Sequence, residues 1–456
     1  MKKKVMFINA VDPNREIEFA FPQLGLGYLA SSLRKEFGSD YFKFKVIDRN
    51  VEEEMNEFKP DIVGITSVTR DYNIASIYAK IAKKHDLPVI IGGTHISALP
   101  FTLTNDIDVG VIGEGEETII DLLNVIEKEG YLDNKSMLDK IDGVVFRRNN
   151  KLVMTRKRRP IQPLDKIAMP ARDLFAIKKY TSMFTSRGCP YKCSFCFSSR
   201  FWEGTRFFSA EYVVNEIKCL VKEYGVTQIE FWDDLFIADR ERVKRIICLL
   251  DEEGILGKVS FRCNARANLI DAEIVLLLKR MNVEYINLGL ESGCTKTLEY
   301  LKGKTVTVND NMKAVKKIKK HGIKPYASFI IGSPKESRED ILQTLEFIKK
   351  VPLAGFDIYV LTPYPGTPVW DYAKAKNLAS ETMDWSILTQ EFSENFSDAI
   401  ILSEKLTKEE LLELYLLFKR EQVKKVARRT LNNPSEIPKL SLRILKRVLS
   451  GKPIIG

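Results

Sequence analysis

The chain has 456 residues, 45% of them apolar and 29% charged, with a formal net charge of +10. That length carries more than one hydrophobic core, and the balance excludes a generally disordered chain. The charge is concentrated: from Lys419 to Gly456 eleven Lys and Arg face two acids, which leaves the rest close to neutral and argues against a general nucleic-acid-binding surface.

No apolar run reaches the ~20 residues that span a bilayer. The opening MKKKVMFINA is basic and then apolar. It is too short for a signal-peptide core, lacks a small-residue cleavage site, and reads as a first buried strand. A cytoplasmic setting is expected, in which clustered cysteines mean metal or catalysis rather than disulfides. Residues 4–9, 44–48, 61–67, 88–92 and 108–112 are short, continuously apolar, β-branched runs, with amphipathic helical stretches such as 24–36 and 71–84 between them. Strand–helix alternation with doubly buried strands predicts a parallel sheet. Gly92-Gly93 and Gly113-Glu114-Gly115 follow strand ends, where they serve either tight turns or close approach of backbone to a ligand.

Residues 151–180 hold three prolines and a basic run and read as a connection. Alternation then resumes, with strands expected at 182–186, 227–232, 258–263, 284–290, 325–331 and 356–361. Helices are expected at 210–224, 240–253, 271–280, 308–320 and 338–350. The fold class is therefore α/β: a Rossmann-like parallel sheet domain over 1–150, a linker over 151–180, a partial (β/α)6 barrel over 181–400 and a basic helical segment over 401–456. Within that last segment, apolar positions at 440, 444, 445, 448 and 449 alternate with Lys439, Arg443, Lys446 and Arg447. Such a basic amphipathic helix suits peripheral contact with an anionic membrane, docking on the barrel, or an acidic substrate.

Chemistry concentrates after the first barrel strand, where CPYKCSFC places Cys189, Cys193 and Cys196. Zinc sites need four closed positions, and here a fourth ligand would have to come from far away. Three thiolates suit a [4Fe–4S] cube with one iron left open. Cys219, Cys248, Cys263 and Cys294 have no partner at ligand spacing and are expected to be buried and inert.

The loop resembles the defining motif of the radical S-adenosylmethionine (SAM) superfamily, down to Phe195 before the third cysteine. The resemblance implies a [4Fe–4S] cluster on the three cysteines and SAM bound at its open iron, cleaved there to a 5′-deoxyadenosyl radical. IEFWDDLF (229–236), FRCNAR (261–266), NLGLESG (287–293), FIIGSPKES (329–337) and LTPYPGTPVW (361–370) follow successive barrel strands. By the same resemblance SAM is held by Phe195, Asp233, Asp234, Arg266, Glu291, Ser292 and Gly332. Arg266 would pair the methionine carboxylate, and Glu291 would bond ribose or amine. The stretch at Gly332 departs from the fuller G-x-I-x-G-x-x-E pattern.

PQLGLGYLASSL (22–33), PDIVGITSVT (60–69), VIIGGTHISALP (89–100) and VGVIGEGEET (109–118) are similar to the cobalamin-binding domain of B12-dependent radical SAM enzymes. That group includes methyltransferases acting on unactivated carbon or phosphorus and the anaerobic cyclase of bacteriochlorophyll synthesis. The likeness implies cobalamin contacts at Ser67, Gly92, Gly93, Thr94, His95, Gly113, Glu114 and Gly115. The cobalt-ligating D-x-H-x-x-G is absent, the histidines being His85, His95 and His321. Two readings stay open, cobalamin bound without a protein lower ligand or a domain that keeps the fold without the cofactor. Residues 1–188 contain no cysteine, which excludes the second cluster of a methylthiotransferase.

The implied function is a cobalamin-dependent radical SAM methyltransferase acting on an unactivated centre. The alternatives are cyclisation, oxidation or rearrangement without methyl transfer, and a cofactor-based sensor. The implied partners are a small-molecule or lipid-like substrate and an electron donor such as flavodoxin or ferredoxin, with no nucleic acid.

Overall fold

The computed structural model describes residues 3–12, 21–390 and 399–431. The expected amphipathic helix at 437–449 lies outside them. The chain divides into two compact units. One comprises the residues up to Asp234 with Glu241–Val259 and Pro363–Thr389; the other comprises Leu235–Arg240, Ser260–Thr362 and the described residues from Gln390 onward.

The first unit opens with β1 (Lys3–Ala10), β2 (Phe42–Ile47), β3 (Ile62–Ser67), β4 (Val89–Gly92) and β5 (Val109–Val111). These pair in parallel, in the order β2-β1-β3-β4-β5. The inner strands carry unbroken apolar stretches because both faces are covered: Val5 to Ile8 and Val89 to Ile91 are all buried, whereas the edge strand β2 alternates as FKFKVI and is mostly half-buried. β6 (Val144–Arg148) and β7 (Lys151–Met154) extend the sheet as an antiparallel hairpin, so the expected connection begins with an edge strand. Reversal of strand order beside β1 puts a crevice at the carboxyl ends of β1 and β3, where ligands of doubly wound sheets bind.

The same unit continues through β8 (Tyr180–Met183), β9 (Ser186–Arg187), β10 (Arg206–Phe207) and β11 (Gln228–Phe231). β8 and β11 run parallel, and β9 and β10 form a short antiparallel pair. The strand expected over 182–186 is thus split.

The second unit contains β12 (Ser260–Ala265), β13 (Val283–Glu291), β14 (Lys324–Ile331) and β15 (Gly355–Val360), parallel and in sequence order. Helices alternate with them, and two begin with reciprocal capping boxes, Thr307 with Asp310 and Ser337 with Asp340. Each such cap satisfies amide donors that the first helical turn cannot, worth about 1 kcal/mol. Helix Lys408–Leu431 follows, as the composition beyond residue 400 implies. Among the described residues no helix is long and apolar enough to cross a membrane.

Candidate active site

Asp233, at the end of β11, organises the approach to the cysteine loop. Its carboxylate accepts from the Thr185 and Ser186 amides at 2.6 and 3.2 Å, from the Ser186 hydroxyl at 2.7 Å and from the Thr185 hydroxyl. Arg242 faces it at 3.8 Å and donates to the Thr185 carbonyl at 2.8 Å. These bonds take the Thr185 and Ser186 amides and so end β8 early. Burial pushes the Asp233 carboxyl upward against Arg242 and the hydrogen bonds, which pull it down. Its bonds from Thr185 and Ser186 order the chain before Cys189.

Asp234 clasps the loop from outside. It accepts from the Ser198 hydroxyl at 2.5 Å, beyond Cys196, and from the Gly188 amide, just before Cys189. Gly188 has φ +85°, and a Cβ there would collide with the Gly204 carbonyl. Ser194 and Phe195 form the turn between the second and third cysteines, where the Cys196 amide donates to the Cys193 carbonyl at 3.3 Å.

Cys189, Cys193 and Cys196 are all partly exposed free thiols. Burial pushes the Cys196 thiol up to about 11, and the charges of Asp234 and the other two cysteines add to the shift. The three sulfurs therefore share one neighbourhood. Among the described residues no three His, Cys, Asp or Glu side chains converge as a single metal ion requires. A cube takes one thiolate on each of three irons, and three neighbouring cysteines on one loop fit that donor set. Of the remaining cysteines Cys263 and Cys294 are buried as expected, but Cys219 is half-buried and Cys248 exposed. Cys248 lies off the buried stripe of its helix, Val243, Ile246, Ile247 and Leu250.

In the second unit Arg266 and Glu291 come together around Lys302. Arg266 donates to Asn268 Oδ1 at 3.0 Å and Thr305 Oγ1 at 2.6 Å. Lys302 Nζ stands 3.5 Å from Glu291 and also donates to the Gly289 carbonyl. Glu291 is buried at φ +61°, a conformation rare outside glycine. Burial pushes its carboxyl upward, with Lys302 and Arg266 opposing. Ser292 and Gly332 are placed differently. The Ser292 hydroxyl pairs with Thr344 at 2.9 Å and accepts from the Cys294 amide at 3.0 Å. The Gly332 amide donates to Glu336 at 2.8 Å. Glu336, absent from the expected set, also takes the Ser333 amide at 3.1 Å and is pushed by burial up to about 7. Its signal in the sequence was an acid beside the Ser337 helix cap.

A cavity of about 300 Å³ opens at the carboxyl ends of β3, β4 and β5. Gly92, Gly93, Gly113, Glu114 and Gly115 line it, together with Leu24 to Leu26, Phe184, Phe201, Trp202 and Trp232. Gly93, at φ +102°, brings the chain so near β3 that a Cβ would lie 2.5 Å from the Ser67 carbonyl. A Cβ on Gly25 or Gly113 would meet nothing within 4 Å, so the space these residues leave belongs to the cavity. Ser67 is buried with its hydroxyl unpartnered, and it is not among the lining residues. Bare backbone at Gly92, Gly93 and Gly113, with aromatic walls, fits a large, mostly apolar cofactor with polar margins.

Thr94 and His95 begin the short helix Thr94–Ala98 and are not among the lining residues. His95 is fully buried, stacked 3.8 Å from Tyr72, edge-on to Trp385 at 4.9 Å, with Nε2 2.9 Å from Thr102 Oγ1. Burial lowers its pKa to about 3. This imidazole is a neutral core group.

An ion network missing from the sequence reading joins cavity to cysteine loop. Arg187, two residues before Cys189, donates to Glu114 at 2.5 Å and to Glu116. Arg206 donates to Glu114 at 2.8 Å and to the Ile161 carbonyl at 2.7 Å, and the Ile161 amide donates back to Glu114 at 2.8 Å. The Arg187 guanidinium stands over the rings of Trp202 and Tyr28 at 5.0 and 5.5 Å. Two guanidinia balance two carboxylates, leaving a buried, formally neutral wall.

Known proteins resemble this chain in sequence and fold. Residues 183–348 match the family model of the Radical SAM superfamily, and residues 12–123 that of the B12 binding domain. An uncharacterized methyltransferase of Pyrococcus horikoshii is 35% identical over 80% of this chain and 81% of its own. The anaerobic magnesium-protoporphyrin IX monomethyl ester cyclase of Cereibacter sphaeroides is 26% identical over 87% of this chain and 66% of its own. The solved structure of the radical SAM methyltransferase TsrM from Kitasatospora setae, with cobalamin and a [4Fe–4S] cluster bound, superposes with a TM-score of 0.68 at 19% identity, covering 88% of this chain and 84% of that one. That likeness bears out the α/β architecture, an N-terminal parallel sheet followed by a partial barrel. With its cysteine loop, sheet-end cavity and these relatives, the chain belongs to the family of radical SAM enzymes that carry an N-terminal B12-binding domain.

Proposed function

We propose that this enzyme is a cobalamin-dependent radical SAM methyltransferase whose target is a centre without a usable lone pair, on a small or lipid-like molecule. The observation that carries this reading is that one compact unit holds both the three-cysteine loop and the glycine-lined cavity, tied through Arg187. An unactivated C–H offers no nucleophile to attack SAM directly, so a radical source and a separate methyl carrier belong in one chain. When bound, the cluster with SAM supplies a 5′-deoxyadenosyl radical and the corrinoid supplies the methyl group.

The chain's own side chains do the holding. Cys189, Cys193 and Cys196 ligate the cluster while Asp233 and Asp234 fix both ends of their loop. Arg266 and Glu291 contribute charge and hydrogen bonds to SAM. Gly92, Gly93 and Gly113 let the corrinoid reach the backbone, and the aromatic wall excludes water. The electron comes from a low-potential donor such as flavodoxin or ferredoxin.

The test is anaerobic reconstitution followed by product analysis under reductant. The expected content is about one corrinoid and about four irons per chain, with 5′-deoxyadenosine and S-adenosylhomocysteine both formed in the presence of substrate. Formation of 5′-deoxyadenosine alone, without corrinoid uptake, would reject methyl transfer and favour cyclisation, oxidation or rearrangement.

A further inference from the structure

One cation at the cysteine loop has no place in the motifs that define the site. Arg200 belongs to the short helix Ser198–Phe201, and its own amide is anchored on the Phe197 carbonyl at 2.9 Å. Its side chain is partly buried and turns back toward the loop. Nη1 donates to the Cys196 carbonyl at 2.6 Å and lies 3.4 Å from the Cys193 carbonyl. The guanidinium is thus fixed against the backbone of two of the three cysteines. A neutral donor would satisfy the same carbonyls; a guanidinium adds a permanent positive charge.

The charge acts on an anionic site. Three thiolates make the ligated cube negative, and reduction by one electron adds a further negative charge. A fixed cation nearby stabilises the reduced form more than the oxidised form, because the Coulomb term scales with the charge it faces. Asp234, bonded to Ser198 in the same short helix and to the Gly188 amide, acts in the opposite sense. We propose that Arg200 sets the reduction potential of the cluster, holding it high enough for a biological one-electron donor to reduce it. This goes beyond the proposed reaction but rests on the cluster assigned there to Cys189, Cys193 and Cys196.

The experiment is a redox titration of the reconstituted, corrinoid-free full chain with dithionite and mediators, following the electron paramagnetic resonance signal of the reduced cluster. Iron and sulfide are measured on each sample. Arg200→Gln is expected to lower the ratio of reduced to oxidised cluster about tenfold at the wild-type midpoint, a shift of ~59 mV for one electron. Arg200→Lys keeps the charge and is expected to stay near wild type. Arg200→Met gives a second neutral replacement should the glutamine variant fail to hold its cluster. Full clusters with unshifted midpoints in the neutral variants would overturn the proposal. So would a lysine variant shifted as far as the neutral ones, since loop packing rather than charge would then be responsible. A wild-type chain that binds no iron would instead overturn the cluster assignment, and the proposal with it.

Discussion

Replacing Arg187 by Met removes the guanidinium that spans Glu114 and Glu116 while retaining a flexible apolar stem. In the native protein this arginine is 6% exposed, Glu116 is buried, and the side chain of Glu114 is nearly inaccessible. Glu114 keeps Arg206, whereas Glu116 loses the cation it faces. Removing one member of a buried pair costs about 3–5 kcal/mol, chiefly because a charge is left without compensation. Lost cation–π contact with Trp202 and Tyr28 adds up to ~2 kcal/mol. Anaerobic urea unfolding followed by tryptophan fluorescence reads this, since Trp202 and Trp232 both line the cavity beside the network. The double variant Arg187→Met/Glu116→Gln separates the two contributions. With the orphaned charge neutralised, most of the loss should be recovered. A single variant within ~1 kcal/mol of wild type would place the network with weak surface pairs. A double variant no more stable than the single one would refute the charge-balance argument itself.

Three further outcomes follow from the same geometry. Glu336, at about 7 when folded against 4.5 as a free group, holds a proton in the native state that the unfolded chain releases. Stability should therefore fall by ~3 kcal/mol as pH rises from about 4.5 to about 7, and Glu336→Gln should flatten that slope in a pH series of unfolding midpoints. Gly188→Ala forces a Cβ into the Gly204 carbonyl at a positive φ. A loss of ~1–3 kcal/mol with reduced iron uptake is expected, and full iron content at wild-type stability would contradict the proposed loop geometry. His95→Phe retains the stack on Tyr72 and should leave the visible spectrum of bound corrinoid unchanged; an altered axial-ligand signature would mean that the imidazole reaches cobalt.

The parallel strands are legible because strands buried on both faces need unbroken apolar stretches, and Val5 to Ile8, Ile62 to Ile65 and Val89 to Ile91 supply them. The helices 308–320 and 338–350 were legible to the residue because Thr307 and Ser337 announce their starts chemically. β7 falls within the stretch expected as a connection, for the opposite reason. It is an edge strand with Lys151 and Met154 exposed, so half of its side chains carry no burial signal. The first barrel strand reads as one element because sequence shows β-propensity, not where backbone donors are used. Its amides at Thr185 and Ser186 go to Asp233, 48 and 47 positions away. The same limit governed the site. Cysteine spacing is local and survives in one dimension. Charge pairing does not: Arg187 meets Glu114 and Glu116 across 73 and 71 positions, and Arg206 meets Glu114 across 92. Glu114 was therefore expected to face a cofactor, whereas its oxygens receive Arg187, Arg206 and the Ile161 amide. What Glu114 gives the cavity is a fixed wall with compensated charge. A neutral, rigid wall lets an apolar cofactor bind without first stripping water from an exposed carboxylate, and it transmits the position of the β5 loop directly to the residue two places before Cys189.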